Sequence, residues 1–109
     1  MHSIKYATLL ALAAFITQSS AASCEITWDG SSFYHDHYIS ASGVENIPTV
    51  CGDLWYQLRC PVPSRTSCRD AGDGTLIWQF TTGVSCNAGD VESAWWRATR
   101  NTFGGIDCD

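Results

Sequence analysis

The chain has 109 residues, 45% of them hydrophobic and 16% charged, with six cysteines and a formal net charge of −5. That length suits one domain, and the acidic balance repels phosphate backbones and anionic headgroups, which argues against nucleic acid or a membrane surface as a general partner. The single long apolar run covers about half of the roughly 20 residues that a bilayer crossing needs, so no membrane span is expected.

That run opens the chain. Lys5 precedes apolar residues from Ala7 to Ile16, and Ser20 and Ala22 then occupy the small-residue positions of an export cleavage site. Residues 1–22 read as a secretory signal peptide and residues 23–109 as one disulfide-rich domain. A bacterial lipoprotein signal ending at Cys24 is the weaker reading, because Ala21 stands where such signals carry a bulky aliphatic. Cleavage after Ala22 removes Lys5, the only lysine, and leaves five arginines against eleven carboxylates, a net charge of −6. Chance in a short chain explains this simply. A sharper explanation is that a protein entering a host cell after secretion gains from offering no lysine to ubiquitinate.

All six cysteines, Cys24, Cys51, Cys60, Cys68, Cys86 and Cys108, lie in the exported part. An even number in a short secreted chain reads as three disulfides, with 15 pairings open. Without a close CxxC pair, zinc ligation by these thiols is the poorer account. The bridges answer a problem of size, since so short a domain buries a limited share of its surface and each bridge adds about 2–4 kcal/mol.

In chain order, "CEITWDGSSFYHDHYIS" gives two β-rich runs about Asp29-Gly30, a hairpin. Trp28 in the first run is expected in the core. "NIPTVCGDLWYQLRC" sets Ile47, Val50, Cys51, Leu54 and Leu58 at helical spacing, with Asn46 as cap and Pro48 in the first turn, where its missing N–H is tolerated. "PVPSRTSCRDAGDG" reads as a loop with at most an edge strand. "TLIWQFTT" alternates, with Leu76, Trp78 and Phe80 on one face and Ile77, Gln79 and Thr81 on the other, a central strand. "CNAGDVESAWWRATRNTFGG" carries Asn87 or Asp90 as cap, a stripe of Val91, Ala94, Trp95 and Ala98, and glycines to end the helix. "GIDC" is expected to close the sheet. There is no internal sequence repeat and no N-x-S/T acceptor. These elements predict an α+β fold, a small ferredoxin-like two-layer sandwich with two helices on one face of an antiparallel sheet. The alternative is all-β, because tryptophan and tyrosine also favour strands.

The segment "GTLIWQFTTGVSCNAGDVESAWWRATRNTFGGIDC" resembles the C-terminal half of fungal small secreted cysteine-rich effectors of the necrosis-inducing, killer-toxin-like kind. The likeness rests on Gly74 and Thr75 before the strand, Gly89, Asp90 and Val91 at the helix start, and Gly105 and Cys108 at the end. "VCGDLWYQLRC" is a looser match to their first helix. The resemblance implies a ferredoxin-like fold and a toxin or effector role without an established catalytic centre.

Two histidines bracket an aspartate in "FYHDHYIS". On a strand His35 and His37 share a face with Phe33 and Ile39, whereas Tyr34, Asp36 and Tyr38 take the other. Two imidazoles make half of a zinc or copper site at most, so no metal centre or cofactor is expected. A ribonuclease-like site would add Glu25, Glu45 or Glu92 and an arginine to one histidine, but both histidines lie in one strand and no second one stands near the C-terminus. On the helices Trp96 and Tyr56 fall opposite their apolar stripes and are expected to be exposed, where an aromatic ring can anchor a protein or stack on a sugar.

The sequence therefore points to a secreted, monomeric cysteine-rich protein, not an enzyme, that binds a host or competitor protein or a cell-wall glycan. Its candidate contacts are Trp96, Tyr56, His35 and His37. A small ribonuclease-like hydrolase and a carbohydrate-binding module are the alternatives.

Overall fold

The structure is a computed structural model that describes residues 22–28 and 33–108. The leader assigned from sequence lies outside the described residues apart from Ala22. Strand β1 (Ala22–Trp28) and strand β2 (Tyr34–Ala41) are followed by helix α1 (Ile47–Gln57). Strands β3 (Ser64–Asp70) and β4 (Leu76–Gly83) and helix α2 (Ala88–Thr99) complete the fold. The four strands form one sheet in the order β1-β2-β4-β3, with every neighbouring pair antiparallel.

Period-two patterning sets the sheet's faces. Leu76, Trp78 and Phe80 of β4 and His37, Ile39 and Ala41 of β2 are buried, whereas Tyr34 and Tyr38, in the opposite phase of β2, are exposed. Both helices lie on the buried face. Leu54 and Cys51 of α1 and Val91, Ala94 and Trp95 of α2 close one core with it, which is the two-layer α+β sandwich expected from the sequence.

The chain reaches this architecture by an unexpected route. Strands β2 and β3 run parallel with β4 between them, so β2-α1-β3 is the split β-α-β unit of a ferredoxin-like sheet. In such a sheet the fourth strand comes last and pairs with the first. Here β1, from the beginning of the chain, occupies that place beside β2, and "GIDC", expected to close the sheet, forms no strand. Residues 104–108 run beside α2 instead, where Cys108 N–H donates to Glu92 Oε2 at 2.9 Å.

The helix ends also follow their own chemistry. Asn87 caps α2 through a reciprocal pair in which its side chain accepts from Asp90 N–H at 3.0 Å and Asp90 accepts from Asn87 N–H at 3.0 Å. Asn46 stands at the N-cap of α1 as expected but makes no side-chain cap bond, because it adopts a left-handed φ of 56°. The glycines assigned to stop α2 come too late. Arg100 and Asn101, at φ of 54° and 61°, turn the chain first.

The bridges are Cys24–Cys108, Cys51–Cys68 and Cys60–Cys86. The first ties β1 to the chain's C-terminal segment across 84 residues, and the second ties α1 to the edge strand β3 across 17. Loop-closure entropy gives the long bridge about 4.5 kcal/mol and the short one about 3 kcal/mol, each taken alone. Both edge strands are thus held by sulfur to the helical side of the molecule.

Candidate functional site at the aromatic end of the sheet

The β1–β2 hairpin ends where β4 turns into α2. Trp28 pairs with His35 in register and Tyr34 pairs with Gly83. This brings Trp28, Phe33, Tyr34 and Val84 to one end of the sheet, and all four are exposed, Trp28 by 60%. They make up half of the large apolar side chains that the described residues expose. Trp28 was expected in the core and is not there. It is the last residue of β1, and the His35 ring lies 4.4 Å from its own between centroids.

Behind Trp28 a run of rings leads inward. His35 and His37 lie 5.7 Å apart, His37 stacks on Phe80 at 4.6 Å, and Phe80 meets Trp78 at 4.8 Å and Trp55 at 5.8 Å. His37 is only 2% exposed, and its Nε2 lies 2.7 Å from Thr82 Oγ1. Burial in this apolar stack, with the neighbouring His35 adding to it, pushes the His37 pKa down to about 4 against a smaller opposing pull from Asp36. It is therefore a neutral imidazole near pH 7.

The sheet face away from the helices is open. Tyr34 and Tyr38 stand on it beside Asp36, which accepts from the Thr81 hydroxyl at 2.6 Å. Arg69 donates to Gln79 Oε1 at 2.8 Å and to Ser67 Oγ at 2.9 Å. Strand β3 shifts register between Ser64 and Ser67, and Arg65 within the shift has a φ of 50°. The irregularity carries Arg65 into a cleft of about 230 Å³ shared with Asp36, Gln79 and Thr81.

No family model, curated protein or solved structure matches the chain. His35 and His37 do share a face and Asp36 takes the other, as the alternation required. The structure does not bring the ribonuclease-like set together. Glu25 pairs with Tyr38 on the open face, Glu45 lines a cleft with Thr102 and Phe103, and Glu92 holds the Cys108 backbone. Trp96 is 52% exposed on α2 and walls a cleft of about 430 Å³ with Glu92, Ser93 and Arg97; Tyr56 is 82% exposed on α1. Trp28, Phe33, Tyr34 and Tyr38 were missed as surface candidates. The signal for the two tyrosines was present, since the same alternation that buries His37 turns them outward. Among the described residues one cluster of three metal-ligand side chains, Cys60, Cys86 and Asp90, has both sulfurs consumed in a disulfide. No helix there is long and apolar enough to cross a membrane.

Proposed function

We propose that this is an exported cysteine-rich binding protein of effector or toxin type, which engages a host or competitor protein through the aromatic end of its sheet. The observation that carries this reading is the gathering of Trp28, Phe33, Tyr34 and Val84 at one end. Tryptophan and tyrosine dominate the energetics of protein interfaces, and concentrated apolar exposure costs solubility unless a partner covers it. Three bridges in so small a domain suit an oxidising compartment.

The test compares the disulfide-intact protein with a Trp28→Ala, Tyr34→Ala variant of unchanged circular dichroism and melting temperature. Labelled protein is applied to plant tissue and to competitor fungal cells, and binding and cell death are scored. The variant is expected to lose binding at least tenfold. Undiminished binding and killing by the variant would remove the proposal.

A second reading has its own observation. Trp96, Glu92, Ser93 and Arg97 line a cleft that combines a flat ring with hydrogen-bonding groups, the combination that stacks on and orients a sugar. Retention on chitin or β-glucan that Trp96→Ala abolishes and Trp28→Ala leaves intact would favour a carbohydrate-binding module over the first reading. Hydrolysis of RNA by wild type, lost in His35→Ala, would instead favour the hydrolase.

A further inference from the structure

Among the described residues three buried side-chain polar atoms have no hydrogen-bond partner: His35 Nε2, His37 Nδ1 and Trp78 Nε1. Native interiors leave few such atoms, and each calls for an explanation such as a water or an ion. The indole N–H of Trp78 is a donor only. The other two are imidazole nitrogens, two residues apart on one face of β2.

Their surroundings are those of ligands. When His37 Nε2–H donates to Thr82 Oγ1, 2.7 Å away, the Nδ1 lone pair is left open on the far side of the ring. Outer hydrogen bonds of this kind fix the tautomer and orientation of metal-binding histidines. With metal–nitrogen bonds of about 2.0–2.1 Å, each ring centroid sits roughly 3.2 Å from an ion, so two rings sharing one lie no more than roughly 6.4 Å apart. The observed separation is 5.7 Å.

We propose that His35 and His37 chelate a divalent transition-metal ion through His35 Nε2 and His37 Nδ1, with water completing its coordination. Copper(II) is the preferred occupant, because imidazole suits it and it heads the affinity order of the divalent first-row ions. Only unprotonated imidazole ligates, so occupancy falls in acid. Trp28 over His35 leaves the chelate close to the surface. The inference is independent of the partner-binding role, which does not use these nitrogens.

The experiment uses disulfide-intact protein stripped with EDTA and titrated with copper(II) chloride at pH 7, followed by calorimetry and electron paramagnetic resonance. One ion per chain is expected, with hyperfine coupling to two imidazole nitrogens and quenched tryptophan fluorescence. Affinity should fall at least tenfold in His35→Ala, chosen because His35 is only half-buried and its loss spares the core. His37→Gln, checked for fold by near-ultraviolet dichroism, should do the same. Identical isotherms for wild type and His35→Ala, or a spectrum without the two-imidazole pattern, would overturn the assignment by placing copper at backbone or terminal groups.

Discussion

A neutral histidine inside an aromatic stack makes the protein's stability depend on pH at a single residue. The ordinary histidine pKa is about 6.5, and in the folded protein His37 titrates at about 4. Above pH 6.5 the ring is neutral in both states and contributes no slope. Between pH 6.5 and 4 the unfolded chain takes up a proton that the folded chain refuses, so stability falls as pH falls; below pH 4 both states are protonated and the loss levels off. Across that window the loss is roughly 3 kcal/mol. Urea unfolding at pH 7, 5.5 and 4, with EDTA present, should show this decline. In His37→Gln the part of the slope due to this ring should vanish, whatever the variant's absolute stability. A slope unchanged by the substitution would mean that the nearby charges of His35 and Asp36, or carboxylates elsewhere, set the acid response. From the sequence, alternation alone placed His37 beside Ile39 and away from Asp36. What it did not reveal was the depth of burial, which depends on Phe80 and Thr82 of β4, some 45 residues away.

At the level of elements, the two helices begin with the same residue type doing different work. Asn87, in an extended conformation, satisfies the Asp90 N–H and is itself matched by the Asp90 carboxylate. Asn46 is left-handed and offers its side chain to no helix N–H. Asn87→Ala should therefore destabilise the protein by about 1 kcal/mol. Asn46→Gly should be neutral or slightly stabilising, since glycine adopts a positive φ without strain. Thermal unfolding of both variants at pH 7 checks the contrast, and an equal loss in each would show that the reciprocal cap contributes little. Spacing made the helices themselves legible, because Ile47, Cys51 and Leu54, and Val91, Ala94 and Trp95, recur at the helical period and are all buried. Backbone conformation at the ends was not legible, because residues outside the helix set it. Indole N–H of Trp95 donating to Gly104 O, 3.1 Å away, and the Thr102 hydroxyl donating to Thr99 O hold the chain where Arg100 and Asn101 reverse it. Residue preference had assigned that task to Gly104 and Gly105.

For the whole molecule, layer architecture followed from which residues alternate, but strand order did not, because a place at the sheet edge can be filled from either end of a chain. β1 fills the position that a last strand holds in a ferredoxin-like sheet, and Cys24–Cys108 joins it to the segment that would otherwise have supplied that strand, at a Cα separation of 4.9 Å. The cysteine pairing was equally hidden, because it depends on this substitution. If the sheet is specified by the faces of its strands and not by their order along the chain, moving β1 to the end should leave the fold intact. A circular permutant opened between Trp28 and Phe33, with Cys108 joined to Ala22 by a linker, places β1 after α2. Ala22 lies two residues from Cys24, about 7 Å along a strand, so roughly four or five flexible residues can span the junction. This chain would read β-α-β-β-α-β. It should form the same three disulfides by peptide mapping and retain the wild-type near-ultraviolet spectrum. Its long crosslink would then close a loop of only a few residues, so reducing Cys24–Cys108 should cost the permutant markedly less than the wild type. Scrambled bridges in the permutant would show instead that the early β1–β2 hairpin, formed before the helices dock, directs the sheet.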